Sequence, residues 1–145
     1  HEVIGSVVVD YTKNLLTVTE NGYGKRTEFD EFNTQHRGGL GVICHKLTDK
    51  TGALCGIKAV DDTEDVIAVA ANGVLIRTGV ASISTYGRSS QGVRVMNLEE
   101  DNKVIGIVAV EAEPESEETD GEDGENTETA ENIPQTETEQ EYTEE

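Results

Sequence analysis

The chain has 145 residues, a formal net charge of -19 and no tryptophan. Residues 111–145 hold 16 of its 30 acidic groups and none of its 11 basic ones, which leaves residues 1–110 with 14 acidic against 11 basic groups, a net of -3. That split excludes a uniformly acidic globular protein. A near-neutral body about the size of one small domain precedes a segment too polar to offset its own ordering entropy, so residues 111–145 are expected to be a disordered acidic tail. The body has no apolar run of the roughly 18 residues that a membrane-spanning helix requires.

In chain order, residues 3–9 read as a strand that ends in Asp10 and Tyr11, and no leader segment is expected ahead of it. Residues 15–19 form a β-branched strand, Asn21-Gly22 supplies the positive-φ pair of a tight hairpin, and residues 25–29 return. A glycine-rich corner, QHRGGLG at 35–41, leads to a third strand at 41–47 and a polar turn at 48–52. The pattern then starts again. Residues 54–60 repeat the strand at 3–9, residues 66–70 and 75–78 repeat the hairpin about Asn72-Gly73, and RSSQGV at 88–93 repeats the corner. Third and last strands follow at 92–98 and 104–110. From Asn21 to Asn72, Arg26 to Arg77, Arg37 to Arg88 and Gly41 to Gly92 the offset is 51 residues. No segment holds helical periodicity for a full element.

Four strands per unit at this period describe propeller-like blades. The fold class is therefore all-β, built of four-stranded antiparallel blades. Residues 1–14 are read as the closing strand of a preceding blade, 15–65 as one blade, 66–110 as the last blade, and 111–145 as the tail. Opening on His1 rather than Met, the chain is expected to be the C-terminal piece of a longer polypeptide.

Cys44 and Cys55, with His36 and His45 nearby, invite a metal reading. The repeat speaks against it, because Cys44 corresponds to Val95 and Cys55 to Ile105, so both thiols are expected in strand cores. No metal site and no cofactor are expected in this chain. The acidic groups at 61–65 and 99–101 read as solvated turns, and no nucleophile or acid–base constellation recurs. Cations do recur: Arg26 with Arg77, Arg37 with Arg88, joined by Lys25 in the first copy and Arg94 in the second. Stacked blades would bring such positions to one rim, a basic track able to neutralise nucleic-acid phosphates without reading bases. The plain alternative for each cation is a solvated surface charge. Gly41 and Gly92 read as corners between strands, whereas Gly38 and Gly39, replaced by serines in the second copy, read as places of close backbone approach to phosphate.

Together TENGYGKRT at 19–27, QHRGGLGV at 35–42, ANGVLIRT at 71–78 and GRSSQGVRVMNL at 87–98 resemble the C-terminal domain of the DNA gyrase A protein. The resemblance covers essentially residues 1–110. It implies part of a six-bladed β-pinwheel whose rim wraps double-stranded DNA, with Lys25, Arg26, Arg37, Gly38, Gly39, Arg77, Arg88 and Arg94 as candidate contacts. The family's hallmark box reads QRRGGKG in the first blade. Residues 35–41 are a degenerate, later-blade version, with His36 and Leu40 in place of its Arg and Lys. The resemblance further implies a cytoplasmic, bacterial A2B2 assembly with the gyrase B protein, in which ATP and Mg2+ serve other parts of the enzyme. The alternatives are the equivalent module of the A-type topoisomerase IV protein and a protein-interaction propeller fragment.

Overall fold

Two hairpins of one design carry the structure. The computed structural model describes residues 2–99 and 101–112, within the unit His1–Pro114; the tail expected at 111–145 lies outside the described residues from 113 on. Strand β1 (Asn14–Thr19) turns through Asn21-Gly22 into β2 (Tyr23–Glu28), pairing from Asn14↔Glu28 to Val18↔Gly24. After β3 (Leu54–Val60), β4 (Glu64–Ala70) turns through Asn72-Gly73 into β5 (Leu75–Gly79), pairing from Asp65↔Gly79 to Val69↔Leu75. Both turn glycines take positive φ, +77° and +86°, the backbone state that an Asn-Gly hairpin calls for. Short 3-10 turns at Phe29–Glu31 and Val80–Ser82 end each hairpin. The described residues contain no α-helix.

The remaining strands are β6 (Val93–Arg94) and β7 (Val104–Glu111). Each hairpin accepts the strand that closes its own repeat: β3 pairs with β1 and β7 with β4, with a register shift after Val18 in one and after Val69 in the other, a repeat apart. The third strand behaves differently. β6, from the second repeat, pairs with β2 of the first through Tyr23↔Arg94 and Gly24↔Val93. The sheets are therefore β3-β1-β2-β6 and β5-β4-β7, and the first is completed by exchange between repeats.

Exchange corrects three sequence expectations. Residues 41–47 form no strand, because a third strand pairs with the hairpin of the repeat before its own, and that hairpin is not in the chain. Residues 3–9 form none either, since the chain holds no hairpin for them to close. Their place is nonetheless kept: a Cβ on Gly5 would meet Ile57 at 3.2 Å, as one on Gly56 would meet Ile107 at 2.6 Å. The second repeat's third strand shrinks from the expected 92–98 to Val93–Arg94. The turn reading of the acidic residues is adjusted as well, since Glu64 and Asp65 belong to β4 and Lys13 lies 3.1 Å from Asp61 and 3.2 Å from Glu64.

Alternation on β1 and β4 turns one face of each towards a shared apolar cluster. Leu16, Val18 and Val60 from the first sheet meet Val66, Ala68, Val104 and Ile107 from the second, with Val80, Ile83 and Met96 between. Burying each such side chain stabilises the fold by about 1.5–3 kcal/mol. The opposite face of β1 is also buried but polar, through Thr17 and Thr19. Their equivalents on β4 are Ala68 and Ala70.

Gly92 sets the corner into β6. Its φ is +70°, and a Cβ there would stand 2.5 Å from the carbonyl oxygen of Gly24. Gly38 has a φ of +77° but open space around it. Gly92→Ala is therefore expected to cost about 3 kcal/mol and Gly38→Ala about 1 kcal/mol, measured by urea denaturation of the full chain. Equal losses would mean that backbone handedness alone, and not the close approach to β2, fixes the corner.

Candidate nucleic-acid interface

The exchanged strand brings the second repeat's corner onto β2, and Lys25 holds it there. Lys25 is completely buried, and its Nζ donates to the carbonyls of Gly87 at 2.8 Å and Arg88 at 2.7 Å. Burial holds its pKa below the ordinary lysine value; the charges of Cys44 and Glu31 oppose that shift, and Arg88 adds to it. Beneath the same corner His45 is buried, with Nε2 2.9 Å from the Gln91 carbonyl and Nδ1 2.9 Å from Thr17 Oγ1. A carbonyl only accepts, so Nε2 carries the proton, and in the neutral ring Nδ1 accepts from the Thr17 hydroxyl. Sequence reasoning weighed His45 only as a metal ligand.

Two of the eight candidate contacts are thereby removed from the surface. Lys25 is spent on carbonyls. Arg26 is 9 % exposed; its Nε donates to Ile83 O at 2.5 Å and its guanidinium pairs with Asp62. A sequence shows that cations recur but not which way they point, and the alternation of β2 in a sheet covered on both sides turns both inward. Arg77 is exposed yet paired with Asp65 at 2.6 Å, with a further bond to Glu111 O at 3.3 Å. Arg88 is half-buried, with one Nη on Ile43 O at 2.9 Å and a buried Nε that has no partner. Arg37 is exposed and makes no hydrogen bond or ion pair with described residues. Gly38 and Gly39 are exposed beside it, but the Gly39 amide donates to His36 O at 3.2 Å and closes a turn. The second copy closes the same turn from Ser90 to Gly87 O at 3.0 Å. Arg94 stands exposed on β6.

Two cations were missed, Lys46 and Lys50. Lys46 donates its amide to Ser90 O at 3.0 Å, which lays residues 43–46 along the second corner. Lys50 and Arg94 each sit 5.5 Å from the centroid of the Tyr23 ring. Lys46, Lys50 and Arg94 are exposed, and no described carboxylate forms an ion pair with any of them. Lys46 and Lys50 do not recur between repeats, so a search for recurring cations passes over them. The exchange edge thus carries Lys46, Lys50 and Arg94 with Arg88 beside them, an arrangement suited to a polyanion and offering no acid–base or nucleophile chemistry.

Comparison with known proteins decides the family. A family described as the DNA gyrase C-terminal domain, a beta-propeller, matches residues 13–61 and 64–111. The chain belongs to this family. The DNA gyrase A protein of Campylobacter fetus is 44% identical over 104 residues, 71% of this chain and 12% of that protein. The DNA gyrase A protein of Escherichia coli K12 is 40% identical over 117 residues, 81% of this chain and 13% of that protein. This chain therefore spans about an eighth of these relatives. Among solved structures, a DNA gyrase A C-terminal domain superposes with a TM-score of 0.62 at 27% identity, over 66% of this chain and 33% of its own. The C-terminal domain of a DNA topoisomerase IV superposes with a TM-score of 0.64 at 23% identity, over 72% and 32%. That likeness shows the fold alone. The gyrase family's pinwheel is thus the architecture of this chain, and the exchanged strand is where its two blades join.

Burial under the corner holds the His45 pKa below its ordinary 6.5; the neighbouring Lys25 charge adds to that, and the bond to Gln91 opposes it. The unfolded chain therefore takes up this proton first as pH falls. The stability contributed by neutral His45 is complete above about 6.5 and is lost below it. The melting temperature should fall from pH 7 to pH 5.5 more steeply in the wild type than in His45→Gln. Parallel pH profiles in the two proteins would contradict the assignment.

Proposed function

We propose that this chain binds the backbone of double-stranded DNA as part of the C-terminal module of a gyrase A protein. The carrying observation is the set of exposed cations without carboxylate partners among the described residues, Lys46, Lys50 and Arg94 at the exchange edge and Arg37 in the first corner, on a chain of this family. Cations so placed release counterions from phosphates and bind without regard to sequence. Full positive-track wrapping would come from the whole ring, to which these blades add one sector. In that reading the rest of the gyrase A protein and the gyrase B protein are the partners, in an A2B2 assembly in the bacterial cytoplasm. In the same reading, strand cleavage, ATP hydrolysis and Mg2+ use belong to other parts of the enzyme, and this chain is assigned no catalytic or cofactor role. The described residues contain no helix long and apolar enough to cross a membrane. The gyrase reading is preferred over topoisomerase IV because the Campylobacter fetus and Escherichia coli relatives, at 44% and 40% identity, are gyrase A proteins.

Duplex binding by the full chain, followed by fluorescence anisotropy over a salt series, tests this reading. Arg37→Gln should weaken binding equally for unrelated sequences and lower the salt slope by about one unit. Arg26→Gln should lower the melting temperature and leave the slope unchanged, since its charge is engaged inside. A wild-type chain that binds no duplex even at low salt would overturn the reading.

A further inference from the structure

The cations at Tyr23 form a more specific arrangement than a general basic edge. Tyr23 opens β2 directly after the hairpin, and its ring is buried, 5 % exposed. Arg94 reaches it because the exchanged strand sets the two residues opposite each other. Lys50 reaches it from the turn at 48–52, which Asn21 fixes by donating from Nδ2 to Lys50 O at 3.1 Å. That turn is closed further by bonds between Thr48 and Thr51. The backbone on both sides of the ring is therefore held by hydrogen bonds, and an ammonium and a guanidinium converge on the ring with no ion pair to a carboxylate among the described residues. Burial raises the Tyr23 pKa, yet the hydrogen bonding and charge of Arg94 and Lys50 outweigh it and leave it below the ordinary value of 10.0. An open cleft of about 400 Å³ lies beside Lys50 and Arg94, and although Glu99 and Asp101 also line it, neither forms an ion pair with them.

The fold does not require this trio. One repeat on, Tyr23 becomes Val74 and Lys50 becomes Asp101; one repeat back, Arg94 becomes Ile43. The second sheet forms its hairpin without any of them. Two like charges held around one ring repel each other, and an anion between them relieves that repulsion while accepting hydrogen bonds from all three groups. A tetrahedral oxyanion fits best, since guanidinium and ammonium on a phosphate give the short, charge-assisted hydrogen bonds that neutral donors do not.

We propose that Lys50, Arg94 and the Tyr23 hydroxyl form a seat for one backbone phosphate of duplex DNA at the exchange edge. The assignment rests on the DNA-binding reading for the phosphate's source, but not for the existence of the seat. Two measurements on the full chain separate these. Titration with inorganic phosphate at constant ionic strength, followed by NMR, should shift the Tyr23 ring and Arg94 Nε signals saturably, and the Lys50→Gln/Arg94→Gln double variant should abolish the shift. In duplex binding, Lys50→Gln and Arg94→Gln should each lower the salt slope by about one unit. Tyr23→Phe should weaken binding about threefold with the slope unchanged, since it removes one neutral donor. Melting curves of the exposed-cation variants should match the wild type. If duplex affinity and slope survive both substitutions while Arg37→Gln still lowers them, the seat is overturned and the DNA reading stands. Saturable phosphate shifts in a chain that binds no duplex would overturn DNA as the source and leave a free phosphate ligand in its place.

Discussion

A lysine ammonium with no exposure to solvent, bonded to two carbonyls of another repeat, is the constraint on which this structure turns. Placing the Lys25 charge inside the protein is costly unless its donors are used, and Gly87 and Arg88 use two of them at 2.8 and 2.7 Å. The contact works in both directions. It satisfies a buried cation, and it fixes the turn from which Arg88 emerges and after which Gly92 and β6 begin. The equivalent residue one repeat later is Ile76, so this contact belongs to the junction between the blades and not to the blade plan itself.

The exchanged strand makes each blade dependent on its neighbour. β6 gives the first sheet its fourth strand and carries Arg94 to the Tyr23 ring, while β5 is left as an edge of the second sheet. Repeat architectures share stability between neighbouring units, and here the sharing is literal, because a length of contiguous sequence is not a complete sheet. The same dependence places the candidate interface. Lys46 lies beside Ser90, Arg88 bonds to Ile43 O, and Arg94 sits over the Tyr23 ring, so these three cations are set by contacts between one repeat and the other.

Much of this was legible in the sequence, and the misses share one physical cause. Both Asn-Gly hairpins, the closing strands at 54–60 and 104–110 and the corner at Gly92 were readable because turn chemistry and strand alternation are local. Residues 3–9 and 41–47 misled because their strand character needs a hairpin that the chain does not include. The recurring arginines misled in another way. Recurrence identifies equivalent places in the fold, but Arg26 is turned against Asp62 and Ile83 while Arg77 lies on the surface with Asp65. Lys50 and Tyr23 carried no repeat signal at all, and only the approach of Lys50 and Arg94 to the Tyr23 ring reveals them.

The most direct test of the central claim is Lys25→Met in the full chain, with thermal stability and the salt slope of duplex binding measured on the same protein. Methionine keeps the length of the side chain and removes both hydrogen bonds. Losing both bonds and leaving the Arg88 carbonyl without its lysine donor should cost about 1–3 kcal/mol, a fall of several degrees in melting temperature for a domain of this size. Affinity should weaken as the corner loosens, with the salt slope unchanged. An unchanged melting temperature with a slope lower by about one unit would mean that Lys25 meets phosphate directly, and would contradict the account.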